Sequence, residues 1–232
     1  YSPIYSSLVG SYSNHSIDIH KERIPFMEYK NAFDQVAENL HYGNTFLLNL
    51  TRASEIKLKN SLFDIFKNSR DKYKLFYKDQ FVVFSPEPFV KIKNNTISSY
   101  PMKGTANANI PNAAKKLMSD DKELSEHYTI VDLIRNDLAI VSKNVRVSRF
   151  RYLEKIRSNN KALYQLSSKI EGDLDENWKS NIGTILKKLL PAGSISGAPK
   201  KKTIESIGQV ENGKRGFYTG VMGFFDGKTL DS

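Results

Sequence analysis

The chain has 232 residues and a mass of 26.4 kDa, enough for one large domain or two small ones, and its 39% hydrophobic and 26% charged content excludes a collagenous or disordered polypeptide. The absence of cysteine removes disulfides, thiolate metal sites and cysteine nucleophiles from this chain. The formal charge of +10 comes from 26 Lys and 9 Arg interleaved along the sequence, a pattern that fits a compositional lean towards lysine as well as it fits a nucleic-acid surface.

No apolar run approaches the roughly 18 residues of a membrane span, and the opening YSPIYSSLVGSYSNHS has neither a basic nor a long apolar signal region, so the expectation is a soluble, cytoplasmic protein. Residues 1–27 carry no strong periodicity and read as an edge segment. Tyr29, Phe33, Val36 and Leu40 then form the stripe of an amphipathic helix that Gly43 would end. Thr45–Leu50 reads as a buried strand and Ser61–Asn68 as a second helix. No repeat of 20 to 50 residues is present, which argues against solenoids and propellers.

Two β-rich runs, Pro88–Lys93 and Thr96–Tyr100, flank Asn94-Asn95, a pair suited to a two-residue hairpin turn. Antiparallel numbering from that turn sets Glu87 opposite Met102, or opposite Lys103 with a three-residue loop. A carboxylate and an amine meet where the hairpin opens, either as an ordinary surface ion pair or as a chemical site. Residues 121–141 follow helical spacing through Leu124, Tyr128, Val131, Leu138 and Val141. On that helix Glu126 shares a side with Ile130 and Leu133, so its carboxylate heads a partly apolar face and calls for a cation, a donor or a metal. The alternative is that Glu123 and Glu126 only complement the helix dipole.

Val145–Arg151 reads as a strand, Ala162–Ile170 as a strand or helix start, and Asn177–Leu190 as a helix stopped by Pro191. The small residues Gly193, Ser194, Gly197 and Ala198 precede a further helix with Pro199 in its first turn, an arrangement whose free N–H groups suit carboxylates or phosphates. Lys187-Lys188 and Lys200-Lys201-Lys202 read as solvated faces or as attraction for a small anion. The C-terminal GFYTGVMGFFDGKTLDS is strand-like with a turn at Asp226-Gly227. His15, His20, His41 and His127 show no metal-ligand spacing, and neither a P-loop nor a G-x-S-x-G elbow occurs.

The stretches GNTFLLNLT (43–51), SPEPF (85–89), PMKGT (101–105), KELSEHYTIVDLIRNDL (122–138), PAGSISGAPKKKTIE (191–205) and RGFYTGVMG (215–223) together, in this order, resemble the chorismate-utilising enzymes. Within that family PMKGT is most similar to the aminodeoxychorismate synthases (component I), whereas anthranilate synthases carry Ala at the position of Lys103. Leu47 stands where isochorismate and salicylate synthases have a general-base lysine and where aminating members often have Gln. The resemblance covers residues 28–232 as a chorismate-binding catalytic domain. It implies an α+β fold with two antiparallel sheets, flanked by helices, enclosing the active site. It also implies that the family pattern is incomplete at both ends, with no recognisable tryptophan pocket and with the chain stopping before a carboxylate-gripping Arg and a second metal-binding helix.

By the same resemblance the expected reaction is amination of chorismate to 4-amino-4-deoxychorismate, on the route to p-aminobenzoate and folate. Lys103 would be the nucleophile and Glu87 the general acid, with Mg2+ held by Glu126 and Glu123. Gly104, Thr105, Gly197, Lys200 and Tyr218 would hold the substrate carboxylates. Ammonia would come from a separate glutaminase subunit and a lyase would act downstream, without nucleic acid or membrane as partner. An anthranilate synthase component I and a basic nucleic-acid-binding module are the alternatives.

Overall fold

The structure, a computed structural model, describes residues 19–69, 71–85, 87–158 and 161–232, so most of the edge segment read over 1–27 lies outside the described residues. Two compact units emerge. One comprises Ser54–Ser85 with the described residues preceding Ile24; the other comprises Ile24–Ala53 with the described residues from Glu87 to Ser232.

In chain order the strands are β1 (Ile19–Lys21), β2 (Leu47–Leu48), β3 (Ile56–Leu58), β4 (Tyr73–Tyr77), β5 (Phe81–Ser85), β6 (Lys91–Lys93), β7 (Thr96–Ser99), β8 (Met102–Asn107), β9 (Lys143–Ser158), β10 (Lys161–Asp173), β11 (Gly197–Ala198), β12 (Phe224–Phe225) and β13 (Leu230–Asp231). The helices are α1 (Phe26–His41), α2 (Leu62–Asn68), α3 (Ala113–Met118), α4 (Asp121–Ala139), α5 (Ile182–Leu189), α6 (Gly193–Ser196) and α7 (Lys200–Val210).

The smaller unit pairs β1 with β3 and β4 with β5, both antiparallel. Its helix α2 begins where expected because Ser61 Oγ accepts the N–H of Asp64 at 3.1 Å, satisfying a donor the first turn leaves open. Phe63, Phe66 and Phe76 stack with centroids 5.4–6.5 Å apart, and the Lys74 ammonium lies 4.7 Å over the Phe66 ring.

The larger unit is built on a seven-stranded antiparallel sheet in which β12, β13, β6, β7 and β10 follow one another. Strands β7 and β8 pair with successive stretches of one side of β10, and β9 pairs along the other side. The β6–β7 hairpin has the expected register, Ile92 opposite Ile97, because Asn94 and Asn95 both take left-handed φ values of 50° and 58°. Trp178 Nε1 donates to Asn95 Oδ1 at 2.9 Å and fastens that turn. One face of the sheet carries Ile92, Ile97 and Ile170 into a core closed by Ile130, Val131, Ile134 and Leu138 of α4 and by Trp178, Ile185 and Leu189. The α+β class and the curled antiparallel sheet flanked by helices agree with the expected architecture; the other described strands form two-stranded sheets.

Several local readings change. The stripe on α1 names the helix but not its buried side: Tyr29, Phe33 and Leu40 are 45%, 52% and 41% exposed, while Ala32 and Val36 pack against Val210. Thr45–Leu50 keeps only the two half-buried residues of β2 as strand, paired with β11. Ala162–Ile170 is strand, part of β10. Asn177–Leu190 divides into a 3-10 turn over Glu176–Asn181 and then α5. Pro199 stands before α7 as its cap rather than inside its first turn.

Candidate active site

Lys103 owes its placement to one irregularity in β8. That strand pairs with β10 through Gln165↔Thr105 and Ser167↔Met102, so Lys103 and Gly104 together oppose the single residue Leu166. Gly104 takes φ +82°, the left-handed conformation that glycine accepts without a side-chain penalty, and the pair forms a β-bulge. Successive residues of a regular strand face opposite sides of the sheet. Here both turn towards α4: Lys103 Nζ is 3.6 Å from Glu126 Oε2, and a Cβ on Gly104 would stand 2.9 Å from Glu123 Oε2.

The acidic helix is set from its first turn. Asp120 caps α4 by accepting the N–H of Glu123 at 3.0 Å, and Glu123 and Glu126, three residues apart, then share one face. The two side chains of the Lys103–Glu126 pair are each 43% exposed, and Lys122 Nζ lies 3.9 Å from the other Glu126 oxygen. Glu87 completes the group electrostatically. Burial pushes its carboxyl from 4.5 up to about 7, and the positive charge of Lys103 opposes that rise without cancelling it. The carboxyl and the lysine expected at the open end of the hairpin are therefore coupled electrostatically, without pairing of the two segments among the described residues.

The donor set suits a hard divalent cation. Glu123 borders the space that the missing Gly104 side chain leaves open and Glu126 lies one turn on, beside Lys103 and Lys122, and Mg2+ takes one or two protein carboxylates, completing its shell with water and substrate oxygens. No group of three or more His, Cys, Asp or Glu side chains that could enclose a metal occurs among the described residues.

Beneath α4 lies an arrangement with no signal in the sequence. His127 is fully buried, with Nε2 2.6 Å from Ser168 Oγ, and the same hydroxyl accepts the backbone N–H of Arg151 at 2.8 Å. Burial, then the Arg151 charge, lower the imidazole pKa, so the ring is held neutral. A second bulge makes this possible: Ser167 pairs with Tyr152 and Lys169 with Arg149, leaving Ser168 opposite both Phe150 and Arg151. The Arg151 guanidinium donates to the carbonyls of Met118 at 2.6 Å and Leu117 at 3.0 Å, tying the end of α3 and the approach to α4 to β9.

The small-residue loop is docked by backbone contacts. Gly197, at φ +123°, lies against β2 so closely that a Cβ would fall 1.9 Å from the Leu47 carbonyl oxygen. Thr45 Oγ1 bonds the Ala198 carbonyl at 2.9 Å and Thr203 Oγ1 at 2.7 Å. Lys200 is turned away from the lysine–glutamate group, with Nζ 2.8 Å from Asp137 Oδ1. Asp137 follows Glu126 by eleven residues, about 16 Å along the axis of α4. Tyr218, 70% exposed, belongs to the 3-10 turn Gly216–Tyr218. Arg215, which opens that turn, grips Glu211 in a two-pronged pair, with Nε donating to Oε2 at 2.9 Å and NH2 to Oε1 at 2.6 Å. Thr105 faces outward on β8, opposite Gln165. A cleft of about 500 Å³ between the end of α4 and α5, lined by Trp178, Ile185 and Lys188, contains none of the expected site residues.

Residues 9–232 match the family model described as chorismate binding enzyme. The chain is 54% identical over 215 residues to an uncharacterised PabA-like protein of Pasteurella multocida (strain Pm70), covering 93% of this chain and 66% of that protein. It is 30% identical to aminodeoxychorismate synthase component 1 of Bacillus subtilis (strain 168), over 87% of this chain and 45% of the relative. Its fold superposes on the crystal structure of anthranilate synthase component I from Streptococcus pneumoniae TIGR4 with a TM-score of 0.73 at 27% identity, covering 93% of this chain and 49% of that one. The chain thus spans about two thirds or less of each of these proteins. No helix among the described residues is long and apolar enough to cross a membrane. A match that takes in Lys103, Glu87, both α4 carboxylates and the docked loop makes this chain a member of the chorismate-binding enzyme family.

Proposed function

We propose that the protein to which this chain belongs aminates chorismate to 4-amino-4-deoxychorismate, in the cytoplasm and on the route to p-aminobenzoate and folate. The observation that carries the reading is the half-buried Glu87, whose carboxyl is still half protonated near pH 7 within the electrostatic reach of Lys103. Chorismate must lose its C4 hydroxyl while nitrogen enters, and hydroxide is a poor leaving group. Glu87 donates its proton to that oxygen, which departs as water. Lys103 forms a bond from Nζ to C2 as both conjugated ring double bonds shift and the C4–O bond breaks. Ammonia then attacks C4, both double bonds shift back, and the C2–N bond to Lys103 breaks.

Glu126 and Glu123 would hold Mg2+, which when bound supplies positive charge for a substrate carboxylate. Gly104 keeps the space at that carboxylate pair open. Thr105 and Gly197 orient the substrate's anionic groups through their backbone and Tyr218 through its phenol. A separate glutaminase subunit supplies the ammonia, and a lyase acts on the product.

Anthranilate synthesis is the second reading, supported by the likeness to the Streptococcus enzyme. Mass analysis of the product from chorismate, Mg2+ and ammonium salt, using the full-length protein, separates the two. Aminodeoxychorismate is the expected product; anthranilate formed without a lyase overturns the assignment. Lys103→Ala should abolish amination while chorismate still binds, and amination at the wild-type rate by that variant would remove the nucleophile.

A further inference from the structure

Two charges in the larger unit stand at the helix ends that disfavour them. Asp137 lies in the last turn of α4, where the dipole is negative, and Lys200 opens α7, where it is positive. They satisfy each other instead, with Lys200 Nζ 2.8 Å from Asp137 Oδ1 and side chains only 24% and 13% exposed. The same ammonium donates to the Leu189 carbonyl at 3.0 Å, and the other Asp137 oxygen accepts the Gly193 N–H at 3.1 Å. One ion pair therefore holds the residue before the segment 190–199, a residue within it and the residue after it. That segment in turn lies along residues 45–49: Phe46 N donates to Ala198 O at 2.8 Å and Asn49 N to Ser196 O at 3.1 Å. Gly193 has no room for a side chain, since a Cβ would stand 2.9 Å from Leu133 and 3.1 Å from Asp137 Oδ2.

We infer that Lys200 and Asp137 are positioning residues: together they close the 190–199 loop and set its backbone against residues 45–49, and Lys200 acts on an anionic substrate through that backbone rather than by touching it. The loop arm of the inference rests on geometry alone; its kinetic arm rests on the chorismate reading.

The test uses the full-length protein carrying Lys200→Met, Asp137→Asn, both together, or Lys200→Arg. Amide hydrogen exchange over 190–199 should quicken by about tenfold in either single variant, no further in the double variant, and return towards wild type with Lys200→Arg. The KM for chorismate should rise in the same coupled pattern, with kcat changing less. Loop exchange unchanged in Lys200→Met, or effects of the two single variants that simply add, would overturn the inference. So would a raised KM in Lys200→Met with Asp137→Asn unaffected, because that result makes Lys200 a direct anion receptor. If the wild type fails to use chorismate, the chorismate reading falls while the exchange experiment still decides the loop.

Discussion

A carboxyl with a pKa of about 7 changes charge across the range in which an enzyme works, and Glu87 is such a group. Its folded value lies above the ordinary 4.5, so the fold favours the protonated form. That contribution to stability is fully present below about pH 4.5 and is lost as pH rises through about 7, by at most on the order of 3 kcal/mol. Urea midpoints at pH 5 and pH 8 should therefore differ more in the wild type than in Glu87→Gln. Catalysis should follow the same group: at a fixed concentration of NH3, kcat should fall as pH rises above about 7. A rate that keeps rising under that condition would separate Glu87 from the proton transfer. For the carboxylate beside Lys103, Glu126→Gln should raise the Mg2+ concentration needed for half-maximal rate by about tenfold or more without unfolding the protein. An unchanged metal dependence would return Glu126 to complementing the dipole of α4.

Among the elements, the bulge of β8 is the most exacting. Gly104→Ala places a side chain at φ +82° and 2.9 Å from Glu123 Oε2, so a loss of about 1–2 kcal/mol is expected, together with weaker Mg2+ dependence as Glu123 is displaced. Thermal unfolding and metal titration of that variant check both parts. This bulge also marks where sequence reading stops. The Asn94-Asn95 turn, the Ser61 cap and the span of α4 were legible because turn chemistry, capping and period are local signals. The two-against-one pairing of Lys103 and Gly104 with Leu166 depends on a strand about sixty residues away. The Lys200–Asp137 pair and the His127–Ser168 contact have the same character: each joins residues far apart in sequence, and one sequence alone does not pair them. Of the residues that motif likeness groups, Lys103 lies beside Glu126 and acts electrostatically on Glu87, and Glu123 borders Gly104. The same likeness made Lys200 look like a free cation in a small-residue loop, where the structure gives it a carboxylate partner. On α1, apolar residues at helical spacing found the helix, but Ala32 and Val36 rather than the larger Tyr29 or Phe33 proved to be the packed residues.

For the molecule as a whole, the proposed amination calls for a nitrogen source. Glutamine hydrolysis through a thioester needs a cysteine, and this chain has none. Ammonium salts should support turnover by the full-length protein alone, whereas glutamine should not if its remaining sequence also lacks such a nucleophile. Added glutamine should then give product only with a glutaminase present, as a coupled assay with and without that partner would read.

The two registers on β10 carry a last implication. Ser99↔Ile170 and Met102↔Ser167 belong to one register, and the pairs from Thr105↔Gln165 onward are shifted from it by the single surplus residue. An in-frame loss of the Gly104 codon would merge them into one uninterrupted ribbon, with every later backbone pair restored. The lysine, left alone opposite Leu166 between Met102 and Thr105, would keep its side of the sheet but lose the bend and extra twist by which the bulge aims it at Glu126. Three nucleotides thus separate a regular ribbon from a bulged one, and a lineage that lost them would keep the strand order while changing the aim of a single ammonium.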